Sequence, residues 1–486
     1  MGWIKEKILN WLQIIPSQPQ ALSVTEGINR DTADALYRIW YKGDPDELEQ
    51  AYTQLNTAGA VSTMFWAAKC GKEKIRKIHS GLPAVIVDSL AYVVKSDLAE
   101  PNFISENDKS DWEAIAKEND FRRLIGQVIA GVLVAGDGVI KVSVDTDISD
   151  YPILEFISGG QVDYICKRGR PYGFDIRSAY QVNKTTYVLI EHYRRNAVTY
   201  ELRDEKGNTL PLDRVPELAD LKPVRFDGDY VMAVPVVFWE HPRHRGRGKS
   251  IFEGKTGVFD AHDEVVSQWL DALRAGRVVK YIPLNMLPRN PQTGEVMPPD
   301  DFGSRYVMTE SPLVEGQNQK IEVVQPEIRY EAFVESYAAT LNMCLQGLLS
   351  PATLGIEVGR MSSAEAQRER KDVTGNSRNT ITEALELMIP QLIQVTLKTY
   401  DNMRNTDVRE PEVSISFGEY GAPDFDTRVN TIGAAAAASI MSVEAQVEEL
   451  WGNSKDETWK EEEVMRIKRE RGLQEEIEPF VGGELA

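Results

Sequence analysis

An α+β chain, mainly helical, is what the sequence predicts, and three observations carry that reading. Long segments repeat apolar residues at helical spacing. A stretch from residue 139 to about 238 carries strand signals instead. A proline-dense segment separates two of the longest helical stretches.

The first helix-forming residues run from Thr32 to Trp40, with Ala33, Leu36 and Ile39 on one face. Asp44 and Pro45 open a second helix carrying Leu48, Tyr52 and Leu55 in phase. Ile78 to Val94 forms another apolar segment, with Pro83 near its start. Trp112 to Ala135 reads as one helix stopped by Gly136 and Gly138. The period then changes. Val139, Ile140, Val142 and Val144 begin the β-rich part, and Thr186–His192 with Val198–Arg203 flank Arg194-Arg195-Asn196 as a hairpin. Glu205-Lys206-Gly207-Asn208 is a turn, and Val231–Trp239 is a short buried strand.

Ser250 to Arg277 predicts a long helix whose stripe holds Phe252, Phe259, Val266, Leu270 and Leu273. Tyr330 to Leu349 predicts a second, through Phe333, Val334, Tyr337, Leu341, Cys344, Leu345 and Leu348. Between them, residues 279–327 hold 7 of the chain's 24 prolines, which blocks long helices and leaves short strands at 278–282, 305–308 and 320–324. Pro351 stops the second helix, and Gly355 and Gly359 loosen the loop after it. Ser362-Ser363-Ala364-Glu365 is a capping box that opens a third helix, with a kink expected at Pro390. Glu412–Phe417 alternates as a strand. The rest is helical: Ala-rich at Gly433–Met441, then acidic at Ser442–Leu450 and Thr458–Arg471.

Composition narrows the function classes. The chain has 486 residues, 42% hydrophobic and 27% charged, in the range of globular proteins and enough for two to four domains. No apolar run is long enough to span a membrane. The amphipathic start MGWIKEKILNWLQII lacks the unbroken apolar core of a secretory signal, and Glu6 breaks the myristoylation pattern. Three scattered cysteines, Cys70, Cys166 and Cys344, argue against a disulfide framework or a zinc site. A net charge of −20 disfavours tight wrapping of DNA and permits loose enclosure.

Few motifs point to catalysis. Gly248-Lys249-Ser250 sits where a phosphate-binding loop would, between strand and helix, but Arg243 stands where that pattern needs glycine. His241 and His244 lack cysteine or carboxylate partners at ligand spacing. Asp260, Asp263, Glu264 and Asp271 read as a solvated or interfacial helix face. Arg274, Arg277 and Lys280 fit either a helix C-terminus or a phosphate contact. No catalytic residue, metal or cofactor is expected.

The order of these elements resembles the portal proteins of tailed double-stranded DNA bacteriophages, in particular long-tailed phages with a separate head-to-tail adaptor. The resemblance is carried by Pro235-Val236-Val237-Phe238, by Gly248-Lys249-Ser250-Ile251-Phe252-Glu253, and by Asp260-Ala261-His262-Asp263-Glu264-Val265-Val266-Ser267 leading into a long helix. Ser362-Ser363-Ala364-Glu365-Ala366 after a loop, and Gly136-Asp137-Gly138-Val139-Ile140-Lys141-Val142 after the first helices, fit as well.

That resemblance implies a wing at 1–245, stem helices at 246–278 and 328–349, a clip at 279–327, a tunnel loop at 350–361, a kinked wing helix and return strand at 362–425, and a crown at 426–486. The tunnel loop would comprise Ser350, Pro351, Ala352, Thr353, Leu354, Gly355, Ile356, Glu357, Val358, Gly359, Arg360 and Met361. Arg274, Arg277 and Lys280 would form a basic girdle in the channel. Leu284, Met286, Leu287, Arg289, Met297, Phe302 and Arg305 would form the clip's docking surface. The family forms a homo-oligomeric ring, usually a dodecamer, at one capsid vertex. It is assembled in the host cytoplasm and retained in the virion. It nucleates head assembly with scaffolding and major capsid proteins, docks the terminase large subunit, conducts double-stranded DNA without sequence specificity, and binds head-tail adaptors. The competing readings are a ring-forming P-loop DNA motor and a scaffolding or coat-like structural protein.

Overall fold

The computed structural model describes residues 30–57, 64–68, 75–276, 279–283, 289, 291–294, 305–309, 322–324, 327–356, 364–418, 425–438, 440–451 and 457–472. The chain divides into two compact units, residues 1–418 and 419–486.

In the first unit, α1 (Arg30–Lys42) buries Leu36, Ile39 and Trp40, the face its periodicity marks. The Asp44 carboxylate accepts hydrogen bonds from the Asp46 and Glu47 amides at 2.9 and 3.3 Å. With Pro45 in the first turn, it caps α2 (Pro45–Thr57). α3 (Leu82–Ser96) has Pro83 in its first turn and buries Ile86, Val87, Leu90 and Val94. The short β1 (Asn102–Phe103) follows.

Where one helix was expected from Trp112 to Ala135, there are two, α4 (Glu106–Glu118) and α5 (Phe121–Ala135). Asn119 makes the break. Its side-chain amide donates to the Ile115 and Pro152 carbonyls at 3.0 and 2.9 Å, and Asp120 turns left-handed at φ 45°. Helical periodicity continues across the break, so the pattern alone conceals it. Gly136, at φ 93°, then reverses the chain into a strand.

β2 (Asp137–Ser143) is the centre of a three-stranded antiparallel sheet, between β3 (Ile153–Ser158) and a later strand, Ala233–Val237. A second sheet is a meander of β4 (Val162–Lys167), β5 (Arg170–Val182), β6 (Thr185–Arg194), β7 (Ala197–Arg203) and β8 (Thr209–Leu210), with β9 (Val224–Arg225) beside β7. The expected hairpin is β6–β7, turned at Asn196 with φ 61°. The turn after β7 is held by the Asp204 carboxylate, which accepts from the Lys206 and Asn208 amides at 2.9 and 2.8 Å. β10 (Ala233–Val237) closes the first sheet.

Next come α6 (Thr256–Ala275), the three strands β11 (Val279–Pro283), β12 (Arg305–Thr309) and β13 (Glu322–Val324), and α7 (Tyr330–Leu345). β11 lies between a parallel β12 and an antiparallel β13. The proline-dense insert therefore holds short strands, as its composition suggests. α8 (Ala364–Met403) runs 40 residues with Pro390 in its interior and buries Ile381, Leu385, Ile389, Leu392, Ile393 and Leu397. The chain returns through β14 (Val413–Ser414), which pairs with β1. Arg409 binds Asp401 at 2.6 Å and Asp108 and Asp111 at 2.8 Å each, fixing the end of α8 to α4.

The second unit holds α9 (Phe425–Ala437), α10 (Val443–Trp451) and α11 (Glu457–Glu470). Trp451 and Trp459 meet edge to face at 5.7 Å, and Lys460 pairs with Glu448 at 3.0 Å. The alanine-rich stretch leaves Gly433, Ala434, Ala437 and Ala438 exposed in the single chain.

Candidate functional site

α6 and α7 form an antiparallel pair whose register can be read contact by contact. Gly276 lies against the Ile328 side chain, where a Cβ would collide. Trp269 stacks on Phe333 at 6.3 Å, within 4° of parallel. His262 Nδ1 lies 2.9 Å from Thr340 Oγ1, and the Cys344 thiol 3.7 Å from the Val258 carbonyl. At the base, the Lys255 ammonium donates to the carbonyls of Met343, Cys344 and Gln346 at 3.3, 3.2 and 2.8 Å. A cation at those unpaired carbonyls stabilises the C-terminal end of α7.

Burial falls off along this pair. Phe252, Phe259, Leu341, Cys344 and Leu345 at its root are almost wholly buried. Val266 and Leu270 are half-buried. Leu273, Tyr330 and Val334, toward the insert, are 50%, 62% and 47% exposed. The predicted stripes exist, but their outer halves have no third layer to cover them.

The root is fixed by two carboxylates. Of the two settings expected, solvated or interfacial, Asp260 and Asp263 take the second, buried against residues 65–80. Asp260 accepts from the Phe65 and Trp66 amides at 2.7 and 3.1 Å, and burial still raises its pKa. Asp263 accepts from the Ser80 amide at 2.9 Å and the Trp66 indole at 3.2 Å, and lies 2.7 Å from His79 Nδ1. Ser267 Oγ accepts from the Ile78 amide at 3.0 Å. These partners lie more than 180 residues earlier, which is why sequence spacing missed them. Glu264 and Asp271 stay partly exposed, as expected.

The glycine-lysine-serine motif is spent on structure. The Gly248 amide, which a phosphate would need, donates to Asp137 at 2.6 Å. A Cβ at Gly248 would strike the Gly136 backbone. Ser250 Oγ donates to the Val134 carbonyl at 2.5 Å and accepts from the Phe252 amide at 3.0 Å. The helix starts only at Thr256, so no helix N-terminus meets the motif. Beside it, Arg247 binds Asp137 through two nitrogens at 2.9 and 3.0 Å and the carbonyls of Val162 and Gly159 at 2.8 and 2.7 Å. The structural signal was Asp137 in Gly-Asp-Gly, between an apolar helix and a strand.

The segment after α7 splits. Ser350 through Ile356 is docked: Pro351–Leu354 is a 3-10 turn, and Ser350 and Pro351 are buried. The Ser350 amide donates to Thr374 Oγ1 at 2.9 Å, and Leu354 and Ile356 pack on the core. The expected loosening by Gly355 is a left-handed residue, φ 67°, that closes this turn. Glu357, Val358, Gly359, Arg360 and Met361 lie outside the described residues.

The remaining site residues are not gathered by what is described. Arg274 sits half-buried in the last turn of α6, and Lys280 on β11 faces Tyr306 and Val323 in register. Arg305 begins β12 opposite Val279, and Arg289 is exposed. Arg277, Leu284, Met286, Leu287, Met297 and Phe302 lie outside the described residues. His241 takes the Arg243 and His244 amides on Nδ1 at 3.0 and 3.1 Å and meets Glu253 at 3.2 Å. Among the described residues, no group of three or more His, Cys, Asp or Glu is placed to hold a metal, and no helix is long and apolar enough to cross a membrane.

No protein-family model matches the chain, and no curated protein matches it. Among solved structures, a chain of the virion of a native gene transfer agent particle is 13% identical with TM-score 0.39, covering 91% of this chain and 96% of that one. A chain from the neck of the native particle, computed with C12 symmetry, is 14% identical with TM-score 0.39, over 77% and 91%. One from the neck of the empty particle, computed with C6 symmetry, is 13% identical with TM-score 0.42, over 81% and 96%.

Proposed function

We propose that the chain is a portal-type ring subunit of a tailed-phage-like particle. It stands at one capsid vertex, docks a packaging motor through its proline-dense insert, lets duplex DNA pass through the ring, and later receives a head-tail adaptor. The carrying observation is the antiparallel pair α6–α7, buried at its root, bare toward the small sheet it carries. Two helices cannot cover each other's outward sides, and Leu273, Tyr330 and Val334 are the residues a neighbouring copy would cover. A head-to-tail contact of that kind gives a ring when its rotation closes and a filament when it does not. The order of elements around the pair supports the same reading.

The motor alternative loses its motif, because the Gly248 amide and the Ser250 hydroxyl are already engaged. Negative-stain imaging of the purified chain tests the proposal. Closed rings with a central hole are expected, with no ATP hydrolysis above background. Monomers, filaments or shells at all concentrations would reject the ring, and ATPase activity lost in Lys249→Ala would restore the motor.

A further inference from the structure

Two loops far apart in sequence meet beside the half-buried Arg247. One is the turn between β4 and β5, Lys167-Arg168-Gly169-Arg170. The other is the segment His241–Lys249. A Cβ at Gly169 would collide with the Arg245 guanidinium, and one at Gly246 would lie 3.4 Å from Cys166 Sγ and 3.5 Å from the Gly169 carbonyl. The Arg247 contact to the Val162 carbonyl, at 2.8 Å, locks the second loop to β4. Lys167, Arg168, Arg170, Arg243, Arg245 and Lys249 are all exposed, and none forms an ion pair among the described residues. The nearby carboxylates are taken: Asp163 pairs with Arg177 at 3.5 Å and Glu253 with His241 at 3.2 Å. Glu240 is the exposed acidic residue left on the loop.

Six exposed cations without ion-pair partners make a local positive patch on a chain whose net charge is −20. The backbone adds a second sign. Arg168 and Gly169 both have positive φ, 54° and 79°, the geometry of a two-residue hairpin turn that favours Asn or Gly at each place. An arginine held there is conformationally unfavourable, and no ion pair in the fold repays it. We propose that these loops form a contact site for the phosphate backbone of duplex DNA, read without regard to sequence. A protein partner would want buried aromatic or aliphatic anchors. The patch offers arginines and lysines around glycine and Pro242, the equipment of an electrostatic backbone contact. The site is built from the β4–β5 turn and the loop before α6, shares no residue with Arg274, Arg277 or Lys280, and does not depend on ring formation.

The test uses the full chain and a fluorescently labelled duplex of random sequence, about 30 base pairs long, followed by anisotropy from 50 to 200 mM salt. Oligomeric state is recorded by light scattering, so that failure to form rings is scored separately. Neutralising three cations, Arg168→Gln with Arg243→Gln and Arg245→Gln, should weaken binding at least tenfold at 50 mM salt. It should also lower the slope of log affinity against log salt by about 2 to 3, one lost counterion release per phosphate contact. The single change Arg168→Asn should raise the melting temperature, by relieving the left-handed arginine, while weakening the duplex. A purely structural arginine would not give that opposite pair of effects. Wild-type binding too weak to detect, equal affinity and slope in wild type and triple variant, or patch-dependent binding of polyglutamate with none of the duplex would each overturn the site.

Discussion

Arg247 and Asp137, 110 residues apart, join the loop before α6 to the first residue of the central strand β2. Asp137 is fully buried and spends its oxygens on Arg247 and the Gly248 amide. Removing one partner leaves the other's charge uncompensated, so Arg247→Ala should cost about 3–5 kcal/mol. Arg247→Lys keeps the charge but not the planar fork that serves one carboxylate and two carbonyls, and should recover less than half. Urea unfolding midpoints measure both. A lysine variant as stable as the wild type would show that charge alone matters there.

The helix pair should weaken in mild acid. Burial depresses the His262 pKa below its ordinary value, the nearby His79 adds to that, and Asp263 opposes it. The unfolded chain therefore takes up a proton near pH 6.5 that the folded chain refuses. Stability from this group is intact above pH 6.5 and falls as pH drops below it. His262→Asn can still donate to Thr340 and should flatten the pH 7 to 5 slope of stability, by at most one proton. An unchanged slope would remove His262 as its source.

The two thiols described should differ sharply. Burial pushes Cys344 up to about 12, while Cys166 is exposed. At pH 8 only about one Cys344 in ten thousand would be thiolate. Iodoacetamide should label Cys166 within minutes and spare Cys344 until guanidinium unfolds the chain. Peptide mass spectrometry reads both, and early Cys344 labelling would mean the α6–α7 root opens readily.

The loop after α7 allows a divided deletion test. Ser350–Ile356 is part of the core, so excising Leu354–Ile356 should lower stability by about 2–4 kcal/mol, the usual scale for lost buried apolar groups. Excising Glu357–Met361, which lie outside the described residues, tests the tunnel-loop reading without removing that docked turn. In a packaging assay the second deletion should act on DNA passage while rings still form. Rings lost from the second deletion would make that segment structural.

Much of the fold was legible because its helices obey a simple period. Leu48, Tyr52 and Leu55 are buried as their spacing requires, and the β6–β7 hairpin falls around the expected Arg194-Arg195-Asn196 turn. What escaped was set by side chains that hydrogen-bond across the fold. Asn119 broke one apparent helix into two by satisfying the Ile115 and Pro152 carbonyls. Whether Asp260 and Asp263 were solvated or interfacial stayed open because their donors, in residues 65–80, are distant in sequence. Arg243 already argued against a phosphate loop at Ser250, but the hydroxyl's acceptor, the Val134 carbonyl 116 residues away, was hidden. Local pattern predicts elements well and predicts the partners of polar groups poorly.

The α6–α7 pair is held firmly at one end. Asp263 and Lys255 grip the root, and α6 extends 20 residues from there, about 30 Å at ~1.5 Å per residue. Such an arrangement is a lever with its fulcrum at the Asp263 cluster. From Asp263 to Ala275 the arm is about 18 Å long, so one degree of tilt at the fulcrum moves its free end by roughly 0.3 Å. Small repacking around Trp66 and His79 is therefore geared up before it reaches the strands, and a push on the strands arrives at the core reduced in travel and magnified in force.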